Sequence, residues 1–261
     1  MNRPMFLVTN DDGIESPGIQ LLEAAASLFG DVLTVAPKSE MSAVGQSITL
    51  HAPLRMQKYS DSRFAVVTGT PTDCIYLATN HLVAKQPSMV LSGINHGANL
   101  GYDVVYSGTV AGARQAALQK IPAIAFSYAG GVTPPTDDIL PYVIEIIRQT
   151  LTQRFPREVF LNVNIPSTKI GPVAGYKVTR LGHRIFSTTV ESRIDPRGSE
   201  YVWIAGRRSG DDDFPDSDST AIQQGFVSVT PIQLDTTAHS LIPTLTDWKI
   251  FSEPAESKTD Q

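Results

Sequence analysis

Met5-Phe6-Leu7-Val8-Thr9-Asn10-Asp11-Asp12-Gly13-Ile14-Glu15-Ser16-Pro17 joins an apolar run, a polar turn and a helix start in a single short stretch. Met5 to Thr9 reads as a buried strand, because consecutive large apolar side chains suit a strand covered on both faces. Ser16-Pro17 opens a helix, with serine as the N-cap and proline at the first helical position, where its missing N–H has no partner to lose. That helix runs through Leu21, Leu22, Ala25 and Leu28 until Gly30 stops it. Asp11 and Asp12 fall between the two elements. Vicinal carboxylates repel, and a fold that sets both at the end of a buried strand usually supplies a cation beside them. Asn-Asp-Asp-Gly is equally sound turn chemistry, so this segment alone leaves turn and metal site both open.

Working outward, Asp31 to Ala36 reads as a second strand, followed by a long polar loop from Pro37 to Gln46 and a β-rich excursion through Ile48, Leu50, Leu54 and Met56. Arg63 to Thr68 is another strand, and Thr70-Pro71 begins a helix carrying Cys74, Ile75, Leu77 and Leu82. Ser88 to Leu91 is a strand entering the glycine-rich loop Ser92 to Gly101. Ser107-Gly108-Thr109 introduces a small-residue helix with Val110, Ala113, Ala116 and Ala117, and Ile121 to Phe126 is a short strand. Asp137 to Leu151 is an amphipathic helix and Val159 to Ile165 a strand. This alternation predicts an α/β fold: a Rossmann-like, mostly parallel sheet flanked by helices, with ligands gathered beyond the carboxyl ends of the strands. The polar loops all fall there, which shifts the balance at Asp11-Asp12 toward a site.

After about Pro166 the pattern turns to strands, turns and charge clusters with no long helix. We therefore expect an α/β catalytic core over 1–168 and a β-rich extension over 169–261 that packs on the core and mediates assembly into a homodimer or homotetramer. The extended segment beginning Phe226-Val227-Ser228-Val229-Thr230 is suited to pair with another subunit's sheet edge. Asp211-Asp212-Asp213, Asp216 and Asp218 lack the ligand spacing of an EF-hand and read as a solvated acidic loop.

Composition bounds the function. The chain has 261 residues, 41% hydrophobic and 18% charged, enough for a full core. A net charge of −5 offers no global basic field for a nucleic-acid polymer. The single cysteine, Cys74, excludes an internal disulfide and an all-cysteine zinc site, and suits a reducing compartment. The apolar run at the start is too short for a signal-peptide core and no long apolar stretch follows, so we expect a cytoplasmic protein without a membrane partner. A P-loop, a Gly-x-Gly-x-x-Gly after the first strand, His-Glu-x-x-His and Gly-x-Ser-x-Gly are all missing. A phosphatase that forms an aspartyl phosphate requires Asp-x-Asp, whereas these two carboxylates are adjacent.

Seven blocks then occur in order: Val8 to Ile14, Val35-Ala36-Pro37, Ser47-Ile48-Thr49-Leu50, Thr68 to Cys74, Ser92 to Gly97, Tyr106 to Val110, and Asn162 to Pro166, with Gly225 to Pro231 extending the series. Together they resemble the SurE family of survival proteins, metal-dependent nucleoside monophosphate phosphatases. The resemblance implies a divalent cation held by Asp11, Asp12, Ser42 and Asn95, and a nucleoside monophosphate as substrate, with short polyphosphate as a possible side substrate. In this chain Met41 precedes Ser42 where the family usually carries a basic residue, which removes a phosphate contact but not the ligand; Ser39 is a nearby rival, and Ser42 is favoured by its distance from the Ser47 to Leu50 strand. Two carboxylates, a hydroxyl and an amide oxygen form a hard oxygen set that suits magnesium or manganese, with calcium also admissible, and hydrolysis by activated water is the expected reaction.

Around that set, Gly97, Asn99, Ser107, Gly108 and Thr109 would place donors near phosphate oxygens, with the helix after Thr109 lending its positive end, although ordinary helix capping accounts equally well for Ser107-Gly108-Thr109. Asn10 would orient the carboxylates or the substrate. Asp11 or Asp12 would serve as general base, weakly, since a ligated carboxylate has a depressed pKa. Of His51, His81, His96, His183 and His239, His96 adjoins Asn95 and is the one to test. The competing reading is a non-catalytic sensor or assembly module that keeps the nucleotide and metal pocket.

Overall fold

The computed structural model describes residues 3–131, 136–153, 156–186, 189–204, 208–212, 214–248 and 250. Strand β1 is Met5–Thr9, followed by helix α1 (Pro17–Ser27), β2 (Asp31–Pro37), β3 (Met56–Ser60), β4 (Arg63–Val66) and α2 (Pro71–Leu77). Next come β5 (Met89–His96), α3 (Asp103–Tyr106), α4 (Gly108–Leu118), β6 (Ala123–Tyr128), α5 (Thr136–Thr152) and β7 (Val159–Ile165). The remainder holds β8 (Gly175–Val178), β9 (His183–Phe186), β10 (Val190–Ile194), β11 (Glu200–Ile204), β12 (Arg208–Asp212), α6 (Asp218–Gln223), β13 (Phe226–Gln233) and α7 (Ile242–Thr246).

One nine-stranded sheet runs β3-β4-β2-β1-β5-β6-β7-β13-β8. The six strands from β4 to β7 are mutually parallel, in the order of a Rossmann sheet. Because β2 lies on one side of β1 and β5 on the other, the strand order reverses at β1, and the crevice opens beyond the carboxyl ends of β1 and β5. Asp11, Asp12 and Asn95 sit there.

The helices cover both faces. Phe6, Val8, Leu91 and Phe126 pack with Ile19 and Leu22 of α1 and with Ile139, Val143 and Ile147 of α5. Leu7, Val35, Val90 and Ala125 pack on the other face with Cys74 and Ile75 of α2 and with Val110, Ala113 and Ala117 of α4. Burial of each such large side chain stabilises the fold by about 1.5–3 kcal/mol. The capping signals are realised: the Ser16 hydroxyl accepts from Ile19 N–H, and Thr70 and Asp73 form a reciprocal capping box on α2. Among the described residues no helix is long and apolar enough to cross a membrane.

Three expectations are corrected. Ser47 to Leu50 forms no strand; Asp73 accepts from Thr49 N–H and Oγ1 at 2.8 and 2.7 Å, and Thr70 Oγ1 donates to the Ser47 carbonyl at 2.7 Å, so side chains take the place of a strand partner. Ser92 to His96 is not loop but the end of β5. The segment from Phe226 is not a free edge: β13 lies inside the sheet, antiparallel to β7 and parallel to β8.

Candidate functional site

Strand alternation and one irregularity in β5 bring two of the ligand candidates, Asp11 and Asn95, to the same helix terminus. On β1, Leu7 faces the α2/α4 layer, and Asp11, two steps beyond Thr9, continues on that side. Strict alternation in β5 would put Ile94 on the same face as Val90 and Ser92. Instead Ser92 opposes Ala125 and Asn95 opposes Ser127, three steps against two, so β5 carries one extra residue. Ile94 therefore packs in the α1/α5 core, and Asn95 turns toward α4. A bulge beside a site re-aims a side chain in this way.

Thr109, in the first turn of α4, ties the cluster. Its hydroxyl donates to Asp11 Oδ1 and lies 3.4 Å from Asn95 Oδ1. Asn95 Nδ2 donates to the Gly97 carbonyl at 2.9 Å, which leaves the amide oxygen facing Thr109. Gly108 allows the approach of helix and carboxylate: a Cβ there would stand 2.8 Å from Asp11 Cβ and 2.9 Å from Asp11 Oδ2. Asp12 accepts from His96 N–H at 3.2 Å and has the His96 Nδ1 3.5 Å from its other oxygen.

The Pro37 to Gln46 loop reaches the site through its backbone, since Met41 N–H donates to the Asp11 carbonyl at 2.7 Å. Ser42 is exposed, and its hydroxyl donates to Glu40 Oε1 at 2.6 Å. Ser39 is also exposed, its backbone packed against Gly13.

Electrostatics set the pair apart. Asp11 is only 4% exposed, and burial, reinforced by the charge of Asp12, raises its pKa to about 6 against the lowering effect of Thr109. Asp12 is raised as well, chiefly by burial and further by Glu40, with His96 opposing the shift. Two neighbouring carboxylates thus share a poorly solvated rim with few donors. A divalent cation would relieve both charges: Asp11 and Asn95 each turn an oxygen to the Thr109 hydroxyl and Asp12 lies on His96 beside Asn95, whereas the Ser42 hydroxyl is engaged by Glu40 and would have to leave it to become a ligand. Among the described residues no group of three or more histidine, cysteine or acidic side chains forms a metal cluster.

The expected phosphate contacts divide. Ser107, Gly108 and Thr109 lie at the N-terminus of α4, where Ser107 Oγ accepts from Val110 N–H and the first-turn amides point toward the Asp11 rim. Gly97 cannot offer its N–H, which donates to the Tyr128 carbonyl at 3.0 Å. Asn99 is clamped: its N–H donates to Asn164 Oδ1 at 2.8 Å, its carbonyl accepts from Asn162 and Asn164 at 2.9 and 3.0 Å, and its Nδ2 donates to Ser127 Oγ at 2.8 Å. Asn10 is buried and spends its amide on Gly13 O and Ser16 Oγ, both at 2.8 Å, so it closes the turn instead of facing a substrate.

Sequence reasoning gave no role to Glu40, Ser127, Asn162, Asn164 or Asp218. The available signal was polarity on a buried strand: Asn162 and Asn164 alternate within β7, and both are fully buried. Asp218 overturns the solvated-loop expectation, because it is fully buried and accepts from Gly101, Gly182 and Ser219 N–H groups at 2.8, 2.9 and 2.8 Å. Asp216 pairs with Arg180, and Asp213 lies outside the described residues. Of the histidines, only His96 touches the carboxylates; His183 stacks on Tyr102, and His239 pairs with Asp235 at 2.6 Å.

The chain has known relatives. The family described as Survival protein SurE matches residues 6–188. The 5'-nucleotidase SurE of Pelobacter propionicus is 44% identical over 93% of this chain and 98% of its own. The 5'/3'-nucleotidase SurE of Proteus mirabilis is 41% identical over 93% of this chain and 95% of its own. The crystal structure of the SurE protein from Aquifex aeolicus superimposes with a TM-score of 0.83 at 40% identity, covering 93% of this chain and 98% of the other. The chain is a member of the SurE family of survival proteins.

Proposed function

We propose that the chain is a 5'-nucleotidase, a phosphoric monoester hydrolase that converts nucleoside monophosphates to nucleoside and inorganic phosphate and depends on one divalent cation, magnesium or manganese, with calcium also admissible. The observation that carries the reading is the carboxylate pair beyond β1, both members raised in pKa: Asp11 is buried against the first turn of α4, where Thr109 also meets Asn95 Oδ1, and Asp12 is half-buried against His96. The names of the relatives, 5'-nucleotidase and 5'/3'-nucleotidase, support the reaction class.

Asp11, Asp12, Ser42 and Asn95 would hold the cation, which when bound supplies Lewis acidity toward a phosphoryl oxygen and lowers the pKa of water. The Gly108 N–H and the Ser107 hydroxyl, at the positive end of α4, would receive phosphate oxygens. Thr109 fixes the Asp11 carboxylate by its hydroxyl, and His96 fixes Asp12 through its backbone N–H. Asn99 and its clamp from β7 hold the loop between them in place. Short polyphosphate would enter by the same phosphate contacts.

We assign the working form to a homodimer or homotetramer, with residues 169–261 as the assembling part. The β10–β11 ribbon supports this: Ile194 is 73% exposed, Trp203 60% and Ile204 92%. The buried free thiol of Cys74 suits a cytoplasmic setting. The test is release of inorganic phosphate from a panel of nucleotides by chelator-treated protein, with and without added manganese, beside Asp11→Asn. Turnover that needs manganese and is lost in the variant is expected. Metal-independent turnover, or equal turnover in the variant, refutes the proposal.

A further inference from the structure

Between the clamped loop Gly97 to Asn99 and the N-terminus of α4 at Ser107, the chain exposes three large apolar side chains: Tyr102 at 54%, Val105 at 55% and Tyr106 at 67%. Positions 102, 105 and 106 share one face of the short helix α3. At 1.5 Å per residue that helix spans about 6 Å, so its backbone links Tyr102 at one end to Ser107, the N-cap of α4, at the other in little more than one turn.

The Tyr102 ring is held in place by the far end of the chain. It stacks on His183 with centroids 5.1 Å apart and planes 14° from parallel. Phe214 meets His183 edge-on at 5.7 Å, and the Arg180 guanidinium lies 3.6 Å from the Phe214 centroid. A single buried carboxylate fixes both halves of the stack, because Gly101 and Gly182, whose N–H groups donate to the two oxygens of Asp218, immediately precede the two rings. At Gly182 a Cβ would stand 2.8 Å from Ser219 Oγ and 3.1 Å from Asp218 Oδ1, so the close approach requires glycine. An exposed aromatic pair gains little from burial, yet here a buried carboxylate clamp aligns it at the start of the segment that leads into α4.

We propose that the Tyr102 ring, backed by His183, is the shelf on which the base of a nucleoside monophosphate stacks. This deepens the nucleotidase reading and rests on it. Stacking on a π-face tolerates any base, so the shelf selects nucleotides as a class over other phosphate esters, and it holds the larger purine face more firmly.

The experiment compares kcat/KM for adenosine 5'-monophosphate with that for ribose 5-phosphate in wild type, Tyr102→Ala and Tyr102→Phe, with sedimentation of each protein. Tyr102→Ala is expected to lower the ratio of the two values about tenfold, mostly through KM for the nucleotide, while Tyr102→Phe keeps the wild-type ratio. A ratio that stays constant in Tyr102→Ala overturns the shelf, whether both substrates hold or both fall together. A constant ratio accompanied by a change in assembly would show that Tyr102 is covered by a second copy of the chain instead. Wild-type protein that prefers the sugar phosphate overturns the shelf and leaves a phosphatase. Release of phosphate from neither substrate in manganese overturns the nucleotidase reading, and the shelf falls with it.

Discussion

Replacing Asp11 by asparagine should stabilise the metal-free protein while weakening its grip on a cation. Asp11 is 4% exposed, and its pKa rises from 3.8 to about 6 because burial penalises the charged form. The folded value lies above the unfolded one, so the carboxylate opposes folding fully above pH 6 and less and less as the pH falls toward 3.8. A difference of about two units corresponds to about 3 kcal/mol at pH 7.5. Asparagine is close in shape and can still accept from the Thr109 hydroxyl, so the variant removes the charge with little change in packing. In chelator at pH 7.5 the Asp11→Asn protein should unfold about 6 °C above wild type. Chemical denaturation should give the same ordering, and the gap should shrink below about 1 kcal/mol at pH 4, where the native aspartate is already neutral. Saturating manganese should reverse the order by stabilising wild type more. A variant no more stable than wild type in chelator, or a gap that does not narrow with acid, refutes the claim that this carboxylate is held at a cost in the absence of a cation.

Gly108→Ala forces a Cβ to within 2.8 Å of Asp11 Cβ, so α4 or Asp11 must shift; a stability loss of about 1–3 kcal/mol by urea titration and a sharp drop in phosphate release are expected. Asp218→Ala leaves three buried N–H groups without an acceptor, and a loss of about 3 kcal/mol or more should appear in the same titration. Ile204→Asp, on the exposed β10–β11 ribbon, should lower the sedimentation coefficient of an assembled wild type; an unchanged coefficient would place the subunit contact elsewhere.

Local signals read well where the physics is local. Ser16 and Thr70 cap α1 and α2 as their spacing indicates, Ser107 caps α4, and β7 runs from Val159 to Ile165, the limits read from its pattern. What escaped depends on distant partners. Ile48 and Leu50 alternate as a strand would, but Asp73 captures Thr49 before any strand can pair with it. The glycine and asparagine in Ser92 to His96 look like loop residues, whereas β1 and β6 hold that segment as strand with an extra residue. Phe226 to Gln233 is recognisable as extended; its place between β7 and β8 is a long-range pairing that periodicity does not encode. The candidate site followed the same division. Asp11 and Asp12 stood out by adjacency after a buried strand, while Asp218 looked like one more aspartate in an acidic run and proved to be a buried clamp.

Direct binding of manganese to chelator-treated protein, without nucleotide, tests the oxygen set most directly, by calorimetry or by the resonance of free Mn²⁺. One ion per chain is expected, with affinity at least about tenfold weaker in Asn95→Ala and in Ser42→Ala, each retaining its fold by circular dichroism. No saturable binding in wild type, or undiminished affinity in both variants, would contradict a cation held by Asp11, Asp12, Ser42 and Asn95.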